Sequence, residues 1–475
     1  MANQTIRKWT VFFIIGFADD HVDEMQTMIG EILKVNKSPD LKIVLCINIK
    51  VEKIPPGFPR GSNPGTSGWT TIFCQVISLA AGGCTLEIID EKSDFDLRKP
   101  EHVAIFFREK VLNNFKADEY MLFTWDHGQP FGIFPHKGDA VAAEGKEEGI
   151  PEENKIEVVA NHNLPFKKLL LHFRLHEFAV HDKPLLPVIQ KAEQPGLASA
   201  EDIDAELGEN ELEMLTVTEL RDAITLAFGK KKIAVVVMMN CYLQFFDTGY
   251  ELSSCANYLV AFETVMLFKH GLDYNTLFQT LSNDPAITPE NLAKLTVSTY
   301  YAHQSAQAND IASTSLFAND LSWYPSMAKL IDELAKNLWR ELPRYKTAIL
   351  NAAARCGFLT PNIPEYCLVD FRNFIRCLYA EAPGLFPGAS YQMINMILEK
   401  LVVESFIGSD FINETGEQFL APSCFSIYLP TDSHMYKTSF QSNFLGENST
   451  SPTEFVQDFY WENFIDAFIF PARRL

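Results

Sequence analysis

The chain has 475 residues, of which 47% are hydrophobic and 12% aromatic, a composition that supports a large buried core. At roughly 100–200 residues per domain, this length predicts two to four domains. With a formal net charge of −21, the chain lacks the excess of basic residues that nucleic-acid binding requires. The same charge disfavours binding to anionic lipid. We therefore expect no nucleic-acid or membrane partner. The charge is typical of a solvated acidic surface, and attraction of a cationic substrate is the alternative.

Nine cysteines are scattered along the chain, mostly in apolar runs such as IVLCINI and FIRCLY. No two of them form a CxxC pair, which argues against a zinc ribbon, and the pattern predicts reduced, buried thiols. No apolar run reaches the ~18 residues of a membrane helix. The early run TVFFIIGFADD ends in two aspartates, which favours a first strand over a signal peptide. We expect a cytoplasmic protein, or a secreted one if a signal peptide has been removed.

The first half of the chain alternates apolar strands with amphipathic helices. This alternation predicts an α/β fold in which a mostly parallel sheet carries helices on both faces. Predicted strands cover residues 8–17, 42–49, 85–90, 119–126 and 232–239, and predicted helices cover 21–34, 98–115 and 217–228.

Residues 135–215 interrupt this alternation with the stretches GDAVAAEGKEEGIPEENK and EDIDAELGENELE, which we interpret as an inserted segment with flexible ends. Helical patterns dominate the later chain, at 274–282, 288–304, 318–342, 369–381 and 389–403, with a strand at 424–430 and a helix at 453–468. The expected domains are a core of residues 1–134 and 216–290, the insertion at 135–215, and a mainly helical region at 291–475 with a late strand.

Two predicted strands end in residues that could act together. EYMLFTW runs into Asp126, His127 and Gly128, and IAVVVMM runs into Asn240 and Cys241. Since the carboxyl ends of parallel strands meet at one edge of a sheet, His127 and Cys241 lie within reach of each other if the strands are neighbours. A thiolate is the attacking form of cysteine, and a histidine can take its proton. The backbone N–H groups of Gly128 and Cys241 could form an oxyanion hole.

Each half of this pair also has a plain structural interpretation. A cysteine at a strand end is most often a small buried hydrophobe, and His-Gly is most often a turn. The paired placement at two strand ends is what favours a catalytic interpretation.

Other polar motifs offer weaker sites. LHFRLHEFAVH places His172 and His176 four residues apart, with Glu177 beside the second, but it is not an HExxH motif and fixes no third ligand. We favour an amphipathic helix there and assign no metal ligands. Asp19 and Asp20 follow the first strand and could bind a cation, although such residues more often cap the next helix. GSNPGTSG lacks the Lys-Ser/Thr ending of a P-loop.

The two strand ends also resemble known motifs. KADEYMLFTWDHG resembles the His motif of the clostripain-like cysteine peptidases, and MMNCYLQFFDTGYELSSCANYLVAFE resembles their Cys motif. RKWTVFFIIGFADD, LTVTELRDAI, CFSIYLP and YWENFIDAF resemble further segments of that family in the same order. The resemblance therefore extends along nearly the whole chain.

This resemblance implies a caspase-like three-layer sandwich with a largely helical C-terminal region. It implies cleavage of peptides or proteins after Arg or Lys by a Cys–His dyad, with His127 as general base and Cys241 as nucleophile. Autoprocessing between the two motifs, within residues 135–215, is also implied. The chemistry needs no cofactor, although some members depend on calcium. The oligomeric state stays open.

The chain departs from the family pattern beside the expected substrate-binding residues Met239, Asn240 and Glu263. Met239 stands where the family usually carries the aspartate of a basic S1 pocket, and a second acidic residue expected after Glu263 is Thr264. Loss of a buried carboxylate partner costs a cationic side chain about 2–5 kcal/mol, so a preference for basic P1 residues is weakened. Two interpretations remain, a peptidase with an altered pocket and a catalytically silent binding or regulatory protein.

Overall fold

A nine-stranded mixed sheet forms the centre of the protein. The computed structural model describes residues 7–16, 21–62, 64–137, 212–266, 271–305, 314–359, 367–385, 387–408, 411, 421–432 and 453–470. The predicted insertion at 135–215 lies outside the described residues except at its two ends.

The strands are β1 (Arg7–Ile15), β2 (Leu41–Lys50), β3 (Trp69–Ser78), β4 (Cys84–Lys92), β5 (Ala117–Trp125), β6 (Gly128–Gln129), β7 (Gly132–Lys137), β8 (Leu212–Thr216), β9 (Ile233–Met239), β10 (Ala256–Phe262), β11 (Ser315–Asp320), β12 (Leu368–Asp370), β13 (Val402–Ile407) and β14 (Ser426–Tyr428). The helices are α1 (Val22–Leu33), α2 (Pro100–Ile105), α3 (Val217–Phe228), α4 (Phe246–Leu252), α5 (Tyr274–Asn283), α6 (Pro289–Ser305), α7 (Tyr324–Cys356), α8 (Phe371–Glu381), α9 (Gly388–Leu401), α10 (Glu454–Asp458) and α11 (Trp461–Ile469). A π-helical stretch, Phe106–Leu112, continues α2.

The order of strands in the large sheet is β13-β11-β10-β9-β5-β1-β2-β3-β4. The five central strands, from β10 to β2, are parallel, and the strands at both edges pair antiparallel. The chain builds outward from β1 in one direction to β2 and then in the other to β5, β9 and β10. The change of direction lies between β1 and β5, where ligands bind in open sheets of this kind.

Helices cover both faces of the sheet because side chains alternate along each strand. Phe12 of β1 contacts Phe107 at 5.2 Å and Phe228 at 5.9 Å between ring centroids, on the α2–α3 face. The next residue, Phe13, contacts Phe278 of α5 at 6.0 Å on the opposite face. The result is a three-layer α/β/α arrangement with buried aromatic rings on both sides of β1.

The start of α3 is defined by its sequence. Thr216 accepts a hydrogen bond from the backbone N–H of Glu219, and the Glu219 carboxylate accepts one from the backbone N–H of Thr216. This capping box satisfies two N–H groups that the helix itself cannot use. Gly229, with φ of 61°, then ends α3 directly before β9.

The C-terminal region contributes helices and also strands. Strands β11 and β13 extend the large sheet, so the sheet continues past residue 290. The late strand β14 pairs with β12 in a separate two-stranded sheet. Trp461 of α11 is buried and donates a hydrogen bond from Nε1 to the Tyr428 carbonyl at 2.8 Å, which attaches the last helix to β14.

The predicted α/β fold with a mostly parallel sheet is confirmed. Strands β3 and β10 were not predicted, and the helix expected at 389–403 ends at Leu401, where β13 follows. The helix expected at 318–342 begins only at Tyr324, because residues 315–320 form β11. Pairing with β10 and β13 makes that short segment extended, a tertiary effect that a local helical pattern cannot report. All nine cysteines lie among the described residues, are free, and are buried except for Cys356. No helix within the described ranges is both long and apolar enough to cross a membrane.

Candidate active site

His127 and Cys241 lie at the carboxyl ends of neighbouring parallel strands. In the register of β5 and β9, Trp125 is paired with Met239, so the two residues that follow each strand lie side by side. The buried Asn240 side chain joins them, because its amide donates hydrogen bonds to the carbonyls of Asp126 at 2.8 Å and His127 at 3.0 Å. The Thr124 hydroxyl donates a hydrogen bond to Asn240 Oδ1. Asn240 therefore fixes the backbone after β5 to the backbone before Cys241.

The backbone is strained on both sides of this junction. Asp126 has a backbone φ of 151° and Tyr242 has a φ of 62°, values that residues other than glycine rarely adopt. Such residues cost on the order of 1–3 kcal/mol each and concentrate at functional sites. Tyr242 is held by a hydrogen bond from its backbone N–H to the Thr264 carbonyl at 3.1 Å.

Gly128 brings its backbone directly against Cys241. A Cβ atom on this residue would lie 2.7 Å from Asn240 Cβ and 2.9 Å from the Cys241 carbonyl oxygen, closer than any side chain tolerates. The position therefore requires glycine because of space. The expected oxyanion-hole residues are neighbours in the structure.

The Cys241 thiol is buried and engaged by backbone. Only 7% of the residue is exposed. The backbone N–H of Met266 donates to Sγ at 3.2 Å, and the Met266 carbonyl lies 3.7 Å from Sγ. Burial raises the pKa of Cys241 to about 11, the Met266 N–H opposes this change, and the Asp126 carboxylate adds to it. The thiol is therefore neutral near pH 7 in this conformation.

A second histidine completes the cluster. His21 lies just before α1, and its Nε2 is 3.1 Å from His127 Nε2. On its other side, His21 Nδ1 is 3.9 Å from Glu24 Oε2. Sequence reasoning missed His21 because the acidic run ADDHVDE drew attention to Asp19 and Asp20. Its position after β1, at the same sheet edge as His127, was the signal that could have identified it.

The family of the chain follows from comparison with known proteins. A family model described as the clostripain family, Peptidase C11, matches residues 207–468, which is more than half of the chain. The chain belongs to the clostripain family of cysteine peptidases. The matched range contains Cys241 and begins after His127. Comparison with curated protein sequences gives no significant match.

Solved structures of clostripain-family proteases share the fold. An inactive zymogen C11 protease from Parabacteroides distasonis has a TM-score of 0.55 at 15% identity, covering 97% of this chain and 99% of its own. A secreted C11 cysteine protease from Bacteroides thetaiotaomicron has a TM-score of 0.56 at 12% identity, with 95% and 99% covered. A secreted C11 cysteine protease from Bacteroides thetaiotaomicron in complex with an irreversible peptide inhibitor gives a TM-score of 0.55 at 12% identity, with 97% and 99% covered. The caspase-like fold implied by the sequence motifs is thereby confirmed.

The remaining substrate-binding residues expected from the clostripain family are fully buried. Met239, Asn240 and Glu263 each have 0% exposure. Glu263 lies next to Asp370 of β12, and burial, reinforced by the Asp370 carboxyl, raises the pKa of Glu263 well above its usual range. Because these side chains are fully buried, contact with a substrate would need a local rearrangement of the chain around them. Their substrate-binding role stays a prediction.

Metal binding has no support from the described part of the chain. In those residues, no group of three or more His, Cys, Asp or Glu side chains could hold a metal ion. Calcium dependence therefore stays a prediction. His172, His176, Glu177, Asp19 and Asp20 lie outside the described residues.

Proposed function

We propose that this clostripain-family protein is a cysteine endopeptidase in which Cys241 is the nucleophile and His127 the general acid and base. The observation that carries the proposal is the junction of β5 and β9. Asn240 binds the carbonyls of Asp126 and His127, so the histidine and the cysteine are held at one sheet edge by a buried amide. Neutral groups position both residues, namely the Asn240 amide and the backbone carbonyls that it binds.

The reaction follows from the chemistry of these groups. His127 takes the proton of the Cys241 thiol, and the sulfur attacks the carbonyl carbon of the scissile peptide. The resulting oxyanion accepts hydrogen bonds from the backbone N–H groups of Gly128 and Cys241. The C–N bond then breaks as His127 returns the proton to the leaving amine, which leaves a thioester. Water attacks the thioester, gives its proton to His127, and releases the carboxylic acid and the thiol.

Access to the thiol requires a change at Met266. Its backbone holds Sγ and the residue is itself 1% exposed. We propose that a bound peptide displaces the Met266 backbone from Sγ, so that the substrate carbonyl can approach the sulfur. Cleavage within residues 135–215, which connect His127 to Cys241 along the chain, would be an activating self-processing step. The P. distasonis relative is described as an inactive zymogen, in accord with such a step.

The residue preference at P1 is expected to differ from Arg or Lys. Met239 is apolar and fully buried at the position where the family usually carries a carboxylate. A cationic P1 side chain would therefore lack that partner, and we propose a neutral or apolar P1 residue. Profiling the wild-type protein against a peptide library with varied P1 tests this. A clear Arg or Lys preference would contradict it.

One observation favours the silent alternative. The Cys241 thiol is 7% exposed and burial raises its pKa to about 11, properties that a structural cysteine also has. A caspase-like binding or regulatory protein would retain this arrangement without turnover.

Turnover by Cys241→Ala decides between the two. The peptidase hypothesis predicts cleavage of the peptide library by wild type and none by the variant. Cys255→Ala is the matched control, because Cys255 is equally buried, at 5% exposure, but lies before β10 at the opposite end of the strands. Equal absence of turnover in wild type and Cys241→Ala would overturn the peptidase. Gel electrophoresis of the same samples would show a two-chain product, cut within 135–215, that depends on Cys241. Turnover with and without EDTA tests calcium dependence.

A further inference from the structure

His21 lies against the proposed catalytic histidine in a geometry that fixes proton positions. The two Nε2 atoms are 3.1 Å apart, and the ring centroids are 4.8 Å apart with 56° between the ring planes. The edge of the His21 ring also meets Trp125, with centroids 6.4 Å apart at 88°. His21 lies between the end of β5 and the start of α1. Its side chain is 15% exposed, so it is not part of the hydrophobic core.

A hydrogen bond between two imidazole nitrogens requires one to carry a proton and the other a lone pair. The Glu24 carboxylate, at ion-pair distance from His21, favours one of the two arrangements. Its Oε2 lies 3.9 Å from His21 Nδ1, and a carboxylate favours N–H at the nearest ring nitrogen. His21 then carries its proton on Nδ1 and accepts at Nε2. His127 must donate from Nε2, which leaves His127 Nδ1 without a proton.

We propose that His21, oriented by Glu24, is a positioning residue that holds His127 in the tautomer able to take the Cys241 proton. The inference rests on the proposed function and deepens it. When the S–H bond breaks and an N–H bond forms at His127 Nδ1, the ring becomes an imidazolium. His21 Nε2 accepts its second N–H, and the Glu24 carboxylate opposes the positive charge through His21. A buried carboxylate acts on the histidine of a Ser-His-Asp triad in this way, whereas the Glu24 side chain is 32% exposed and acts more weakly through solvent screening.

Other titratable groups surround the pair. Glu24 approaches from α1, Asp126 directly precedes His127 after β5, and Cys241 lies beyond β9. Asp19 and Asp20 are outside the described residues. The test therefore measures the position of the proton on His127 directly and does not depend on a pH profile.

The experiment is ¹⁵N NMR of histidine-labelled protein, with the His127 signals assigned by their loss in His127→Gln. Wild type should show His127 with its proton on Nε2. His21→Leu removes the acceptor and should shift His127 toward the Nδ1–H form, whereas His21→Gln can accept through its amide oxygen and should restore the wild-type tautomer. Thr27→Ala, an exposed position on the same helix α1, is the control and should leave the signals unchanged.

Kinetics on the best peptide from P1 profiling provide the second measurement. His21→Leu should lower kcat by about 10–100-fold, the usual range for a residue that orients a functional histidine, with KM nearly unchanged. His21→Gln should recover most of this loss. A wild-type tautomer in His21→Leu, or a wild-type protein with its proton on Nδ1, would overturn the inference. Failure of the peptidase function would appear separately, as turnover that does not depend on Cys241, and the NMR result would still decide the role of His21.

Discussion

Two polar clusters each include residues of the short segment 240–252, and they differ in the groups that hold them together. The first is the sheet-edge cluster of His127, Cys241 and His21. The second, which we call the C-terminal attachment, joins α3 and α4 to the start of α10 and consists of Arg221, Asp247, Glu251, Thr453 and Glu454. One is held together by a neutral amide and backbone at an edge of the sheet, with the Asp126 carboxylate beside it. The other is held together mainly by ionisable side chains, and its three residues in α3 and α4 are largely removed from water.

The C-terminal attachment is a network between distant parts of the chain. Arg221 forms ion pairs with the fully buried Glu251 and, at 2.8 Å, with Glu454. The Thr453 hydroxyl donates to Asp247 Oδ1 at 2.6 Å, and the Glu454 backbone N–H donates to Glu251. Burial raises the pKa of Asp247 and of Glu251 to about 7, and in Glu251 the Arg221 charge only partly offsets burial.

Buried polar groups have different purposes in the two clusters. Charges in the attachment are costly to bury, so they define one partner and one geometry for the C-terminal segment. In the proposed mechanism the sheet-edge cluster changes protonation during turnover, and it is held by an amide and a glycine that do not titrate. If this division is correct, changes to the attachment alter folding stability, whereas changes to the sheet edge alter turnover.

The largest expected effect is on stability, from Arg221→Met. Removing the cation leaves Glu251 buried without its partner, which should lower the free energy of unfolding by about 3–5 kcal/mol. Urea denaturation followed by tryptophan fluorescence measures this. Arg355→Met is the matched control, because Arg355 pairs with Glu381 at 2.7 Å but is 53% exposed, and its loss should cost at most about 1 kcal/mol. Equal losses in both variants would show that the attachment contributes no more than a surface ion pair.

The next effect is on turnover, from Gly128→Ala. The added methyl would meet Asn240 and the Cys241 carbonyl, so it should displace the oxyanion site and lower kcat/KM by about 10²–10³-fold. Gly30→Ala is the control, because a Cβ on that helix α1 residue meets nothing within 4 Å. Denaturation of both variants tests the division of roles. A stability loss in Gly128→Ala as large as that of Arg221→Met would mean that the sheet edge is also a structural support.

The third effect is a pH dependence that belongs to the attachment. The pKa of Asp247 is raised to about 7 in the folded protein, so the folded state binds this proton more tightly than the unfolded state. Its contribution is therefore most favourable below about pH 4 and is lost as the pH rises towards 7, where the carboxylate must be buried charged.

Asp247→Asn removes that titration and should retain the Thr453 contact. Between pH 5 and pH 8, wild type should lose stability relative to Asp247→Asn by on the order of 1–3 kcal/mol, as measured by urea denaturation at each pH. Asp118→Asn, which alters an exposed partner of Lys8, should keep the wild-type profile. A difference between wild type and Asp247→Asn that grows as the pH falls would contradict the raised pKa.

The sequence was informative about the sheet edge and silent about the attachment. His127 and Cys241 could be identified because each directly follows an apolar strand, and the ends of parallel strands meet. Nothing local connects Arg221 to Glu251 or to Glu454, since that contact depends on where α10 packs. His21 lies between these cases. Its strand-end position was readable, but its contact with His127 depends on where the start of α1 lies relative to the end of β5.

The smallest effect concerns the reactivity of the resting Cys241 thiol. This measurement tests most directly whether the two clusters differ in chemistry. With a pKa of about 11, few Cys241 thiols are ionised at pH 7, so alkylation by iodoacetamide should be slow there and rise by about tenfold per pH unit, since the thiolate is the reactive form. Mass spectrometry of the modified peptide measures the rate. Cys255, whose pKa burial raises to about 12, should react more slowly at every pH. Fast, pH-independent alkylation of Cys241 near neutrality would mean that an imidazolium–thiolate pair already exists. The sheet edge would then also be held together by an ion pair, as the attachment is, and the two clusters would not differ in chemistry.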